Sequence, residues 1–117
     1  MTKIVHVKSI DHWNEIVTAH ESNGSVLVCK FGSNWCGPCK SLAPKIDSLS
    51  LTYDENRVLF LSIDIDENEE ITKKFDISSM PTTLIIKNCK IVKTVVGADL
   101  IAIKGGIDNI FALAPYN

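Results

Sequence analysis

The sequence predicts an α/β fold in which a central mixed five-stranded sheet is flanked by four helices on its two faces. Three observations carry this reading. Between residues 3 and 64, short strand-like runs alternate with segments of helical periodicity in the order β-α-β-α-β, for which a parallel sheet with right-handed crossovers is the economical arrangement. Two further strand-like runs, Thr82 to Lys87 and Lys90 to Val96, flank only Asn88-Cys89, a gap that reads as an antiparallel hairpin. The length of 117 residues, 45% of them hydrophobic, suits a single domain over 1–117 with a sizeable core.

Taken in order, Lys3 to Lys8 alternates charged or polar with β-branched apolar residues, the pattern of a short half-buried strand. Ser9 offers a helix N-cap. From there Ile10, Trp13, Ile16 and Val17 recur at helical spacing to about Ser22, and Asn23-Gly24 supplies the stop. Ser25 to Gly32 is a nearly continuous apolar run, as a central strand covered on both faces requires. The next helix places Leu42, Ile46, Leu49 and Tyr53 on one stripe and contains Pro44, which removes a backbone donor and is expected to kink it. Val58 to Asp64 is another mostly apolar strand. Glu67, Glu69 and Glu70 ahead of Lys73 and Lys74 set charge along a short helix as its dipole favours, with Ile71 and Phe75 inward. The last segment, Asp99 to Leu113, aligns Ile103, Ile107, Ile110 and Phe111 on one face. Gly105-Gly106 in its middle costs about 1 kcal/mol per glycine relative to alanine, so packing must hold this helix.

The chemistry is concentrated at Trp35-Cys36-Gly37-Pro38-Cys39-Lys40, where the central apolar run gives way to a helical pattern. If Pro38 and Cys39 open a helix, Cys36 sits exposed at its N-terminal end with Cys39 one turn in, where unpaired N–H groups and the helix dipole favour a thiolate on Cys36. The thiolate is the nucleophile toward disulfides, and Cys39 is close enough to displace whatever Cys36 captures. A CxxC pair also serves in structural zinc sites, but these take four ligands. Cys29 and Cys89 form no second CxxC, and His6, His12 and His20 lie near the N-terminus without paired-ligand spacing, so redox chemistry is favoured over metal binding. A formal net charge of −2 gives no electrostatic reason to expect nucleic acid or an anionic membrane as partner. No apolar run approaches a membrane span. The first residues are too interrupted by polar groups for a signal peptide, so a reducing cytoplasmic setting is expected, where a cysteine pair is catalytic rather than structural.

Entered from Val26-Leu27-Val28-Cys29-Lys30-Phe31, the WCGPCK string resembles the active-site motif of thioredoxins. The resemblance continues over essentially the whole chain. Pro44 matches the proline within the family's active-site helix, Phe60 to Asp66 resembles its third core strand, Met80-Pro81-Thr82 its cis-proline turn, and Gly97 the glycine that closes the far side of the substrate groove. The resemblance implies the thioredoxin fold and reduction of protein disulfides. Cys36 would attack, Cys39 would release the reduced substrate, and a flavin-containing thioredoxin reductase drawing on NADPH would recharge the pair, with no cofactor bound by the chain itself. Trp35, Gly37, Pro38, Met80, Pro81 and Gly97 would form the substrate-binding surface, the Met80 backbone being free to pair with an extended substrate segment. Ser79 stands where animal thioredoxins carry an extra cysteine, so dimerisation through that site is not available and a monomer is expected.

Two positions depart from the family pattern. Lys30 occupies the place of a buried acid beneath the dithiol, and Gly32 stands where bacterial thioredoxins have tryptophan and animal ones serine. The candidate catalytic residues are therefore Cys36, Cys39 and Lys30. Lys30 is expected to act electrostatically beside Asp64 or Ser62, the alternatives being a neutral base and a side chain that snorkels outward. Cys29 reads as core, and Cys89 as an exposed hairpin thiol that is either unreactive or has a regulatory or dimer-forming role. Asp66 reads as a solubilising group. Two rivals to disulfide reduction share the fold: an oxidase or isomerase, and a non-enzymatic binding subunit, against which the intact cysteine pair weighs.

Overall fold

A computed structural model describes residues 3–113. In it the apolar run becomes β2 (Val26–Gly32), the middle strand of a five-stranded sheet completed by β1 (Ile4–His6), β3 (Val58–Asp64), β4 (Thr82–Lys87) and β5 (Lys90–Val96). The spatial order is β1-β3-β2-β4-β5. β1, β3 and β2 are mutually parallel, while β4 runs antiparallel to β2 and β5 to β4. Four helices, α1 (Ile10–Asn23), α2 (Gly37–Ser50), α3 (Glu69–Lys74) and α4 (Leu100–Leu113), cover the two faces. This is the expected mixed sheet with four helices.

Because side chains alternate along a strand, β2 feeds two cores at once. Val26 and Val28 join Leu42 and Ile46 of α2 and Ile103 and Ile107 of α4 on one face. Leu27, Cys29 and Phe31 join Trp13 of α1 and Ile71 of α3 on the other. Lys30 falls in phase with Val26 and Val28, which directs it to the face under α2. Each fully buried aliphatic of this kind contributes about 1.5–3 kcal/mol, so the two cores fix the sheet between its helix layers.

The helix ends follow local chemistry. Ser9 Oγ accepts the His12 N–H at 3.1 Å to cap α1, which closes on Gly24 in the left-handed region (φ 74°). α2 continues through Pro44 as one helix but ends at Ser50, earlier than the Tyr53 stripe suggested. The Thr52 N–H and hydroxyl both bond to the Leu49 carbonyl and turn the chain there. Tyr53 still packs on Phe60, and its hydroxyl donates to Asp108 at 2.6 Å, tying the end of α2 to α4. Glu67 lies before α3, not within it, because its N–H and that of Asp66 bond to Asp64 Oδ1 and hold a turn. Asn68, buried, anchors the same turn by donating to the carbonyls of Val7 and Asp64. Phe75 follows α3 and sets its ring edge-on against Trp13 and Phe31. Asp99 precedes α4 and caps it, accepting the Ala102 N–H at 3.0 Å. Gly106 lets α4 pass close to the sheet, since a Cβ there would stand 2.7 Å from Ile85 Cδ1.

Candidate active site

α2 starts at Gly37 with Pro38 in its first turn, a position where the missing N–H does no harm. Cys36 is the N-cap in an extended conformation, and its Sγ accepts the Cys39 N–H at 3.2 Å. A negative charge on this sulfur therefore meets both a backbone donor and the positive end of the helix dipole. Cys36 and Cys39 are joined in a disulfide with their Cα atoms 5.3 Å apart. Cys36 is 7% and Cys39 5% exposed, so the expectation that Cys36 is the open thiol does not hold for the oxidised pair. What separates the two is their neighbours: the sulfur of Cys36 receives the helix N-terminus, whereas that of Cys39 lies against Gly32.

The sheet register gathers the other predicted residues at the same end. Phe31 pairs with Thr82, and Thr82 with Val96, so the end of β2 that leads to the dithiol, the start of β4 and the end of β5 lie side by side. The Met80-Pro81 peptide is cis. The Pro81 carbonyl accepts the Gly97 N–H at 2.8 Å, and Gly97 has φ 98°, a conformation that favours glycine. Trp35 is 66% exposed, and its indole N–H donates to Asp66 Oδ2 at 2.9 Å. Asp66 is exposed, as a solubilising group would be, and is in addition the partner of the exposed ring.

Lys30 stands opposite Ser62 on β3 and Thr83 on β4. It lines a pocket of about 160 Å³ together with Gly32, Cys39 and Asp64. Burial pulls its ammonium below the ordinary value of 10.5, and the charge of Asp47 on α2 opposes that shift. Asp47 is the acid whose charge acts on Lys30, a relation that Asp64 and Ser62 were expected to supply. Asp47 is exposed on α2 next to the buried Ile46, and nothing in the sequence marks it as a neighbour of Lys30. Cys29 is fully buried, and desolvation pushes its thiol far up. Cys89 is exposed at φ 63°, beside Glu21, which raises its thiol too. Among the described residues no group of three or more His, Cys, Asp or Glu could hold a metal ion.

The thioredoxin family profile matches residues 4–108. The chain belongs to the thioredoxin family. Thioredoxin of Echinococcus granulosus is 38% identical over 93 residues, covering 80% of this chain and 83% of that protein. Among solved structures, the reduced thioredoxin pre-protein of Schistosoma mansoni superposes with a TM-score of 0.84 at 33% identity, over 92% of this chain and 98% of the other. The thioredoxin NaTrxh of Nicotiana alata gives 0.87 at 30% identity, over 92% of each. This thioredoxin-family protein is a thiol–disulfide oxidoreductase, a protein-disulfide reductase whose redox centre is the Cys36–Cys39 pair and which needs no bound cofactor. Its substrates are protein disulfides, and a reductase returns it to the dithiol.

Proposed function

We propose that Cys36 is the attacking thiol and Cys39 the resolving one. The observation that carries the assignment is the N-cap: the Cys36 sulfur receives the Cys39 N–H at the start of α2. The Cys36 thiolate attacks one sulfur of a substrate disulfide, that S–S bond breaks, and the departing thiolate takes a proton from solvent. Cys39 then loses its proton and attacks the Cys36 sulfur, the mixed disulfide breaks, and the second substrate thiol leaves. Two electrons have passed from the dithiol to the substrate. Trp35, Gly37, Pro38, Met80, Pro81 and Gly97 form the docking surface, supported by the exposure of Trp35 and the Pro81–Gly97 bond. Lys30 acts as a half-buried cation that favours the thiolate of Cys39.

The same reading places the protein in the cytoplasm as a single-domain monomer, recharged at the expense of NADPH by a thioredoxin reductase. Free Cys29 and Cys89 beside the one paired CxxC fit a reducing compartment. The test is capture of substrate. Cys39→Ser should hold mixed disulfides that dithiothreitol releases, and Cys36→Ser should hold none. Equal recovery from both variants would sink the assigned roles.

A further inference from the structure

On the sheet side of the disulfide, three features converge on the sulfur of Cys39. Gly32 leaves that sulfur uncovered, for a Cβ at this position would stand 3.1 Å from Cys39 Sγ. Ser33, 8% exposed, lines the same pocket with a buried hydroxyl that has no hydrogen-bond partner among the described residues. Lys30 and Lys40 add positive charge to the lining, and Asp64 adds negative charge. A volume of about 160 Å³ has room for several water molecules. A buried hydroxyl without a protein partner is costly unless water satisfies it.

We infer that this pocket is the exit for the Cys39 proton: Ser33 holds a water against the sulfur that Gly32 leaves open, and the proton passes through that water to solvent. The inference rests on Cys39 being the resolving thiol. In the mixed disulfide on Cys36, the S–H bond of Cys39 breaks and its proton goes to the water bonded to Ser33. The electron pair left on Cys39 forms the Cys39–Cys36 bond as the bond from Cys36 to the substrate sulfur breaks, and that sulfur leaves as a thiolate. Lys30 steadies the Cys39 thiolate until it attacks. The charged groups around it are Asp47, facing Lys30 from α2, and Lys40 and Asp64 in the pocket wall. β3 and β4 present Ser62 and Thr83 opposite Lys30, both uncharged. A solvent exit of this kind does the work without any carboxylate on β2, and Ser33 is a positioning residue in it.

The experiment is stopped-flow mixing of the reduced protein with dithiobis(nitrobenzoate) in a Cys89→Ser background, which removes the exposed third thiol. One chromophore leaves when Cys36 attacks and a second when Cys39 resolves. Ser33→Ala should slow the second phase at least about fivefold at neutral pH, a modest part of what a positioned proton-transfer group supplies. It should also move the pH midpoint of that phase upward and leave the first phase unchanged. Gly32→Ala, which covers the sulfur, should act in the same direction. Ser33→Ala only removes an unpaired hydroxyl and does not endanger folding, so it decides the matter alone if Gly32→Ala fails to fold. A second phase that is unchanged, one slowed without a shift in its midpoint, or equal slowing of both phases overturns the proposal. Failure of the reductase reading would show separately, as absent turnover of protein disulfides, and leaves these two phases readable.

Discussion

The indole N–H of Trp35 donates to the carboxylate of Asp66 at 2.9 Å, across 31 residues of sequence. The bond joins the segment just before Cys36 to the turn after β3, and it holds an exposed aromatic ring in one orientation beside the dithiol. A preoriented ring loses less freedom when a partner docks on it. Asp66→Ala should therefore raise KM for protein disulfides about 2- to 10-fold, the range a single net hydrogen bond spans, with kcat and the dithiol potential unchanged. Steady-state kinetics check it. An equal fall in kcat with no change in KM would show that Trp35 is not a docking residue.

Lys30 tests whether charge under the dithiol sets its potential. A cation there stabilises a thiolate, hence the reduced form, and makes the protein a stronger oxidant. Lys30→Met should lower the potential by roughly 30 mV for each 1.4 kcal/mol of lost interaction and raise the pH at which thiolate absorbance develops. Equilibration against glutathione gives the first quantity and ultraviolet titration the second. Superimposable curves for the two proteins would make Lys30 a bystander.

Cys29 gives the alkaline limb of stability its sign. Burial raises its thiol far above the ordinary value of 9.0, so above that pH the unfolded chain loses a proton which the folded chain retains. The stability tied to this group is fully present below pH 9.0 and is lost as pH rises, by at most about 1.4 kcal/mol per pH unit. Urea unfolding of the oxidised protein in a Cys89→Ser background, with and without Cys29→Val, should show a shallower alkaline fall in the valine variant. Parallel curves would mean that Cys29 does not report on burial.

The neighbouring glycines of α4 should respond in opposite directions. Gly106→Ala forces a Cβ to 2.7 Å from Ile85 Cδ1 and 3.1 Å from Lys93 Cγ, an overpacking that costs about 1–3 kcal/mol. Gly105 faces open space, so Gly105→Ala should stabilise by up to about 1 kcal/mol through helix propensity. Thermal unfolding of the two variants separates them. Stabilisation by both would show that α4 can shift off β4.

The contrast between those glycines marks where sequence reasoning stops. Periodicity identifies α4 and says that packing must hold it, but which glycine touches β4 is a property of two elements at once. The same limit hides Asp47 and Ser33, whose roles come from α2 lying over β2 and from Gly32 leaving space. The Cys36-Cys39 pair and the cis Met80-Pro81 turn were legible because each lies in a short string. The bond from Trp35 to Asp66 was not legible, since the side chain reaches its partner only once β2 and β3 are paired. The exposure expected for Cys36 is absent from the oxidised pair, in which its sulfur is bonded to Cys39 and accepts the Cys39 N–H.

β5 forms one border of the sheet, with Ile91, Val92 and Val96 each about half exposed or more. Lys90 and Lys93 are exposed on the same strand. Two molecules meeting border to border would bring like charges together before any main-chain pairing could begin. That repulsion is ionic, and added salt screens it over distances near 10 Å at about 0.1 M. Any barrier that the lysines of this border set against pairing between molecules should therefore fall as ionic strength rises, with no change inside the fold.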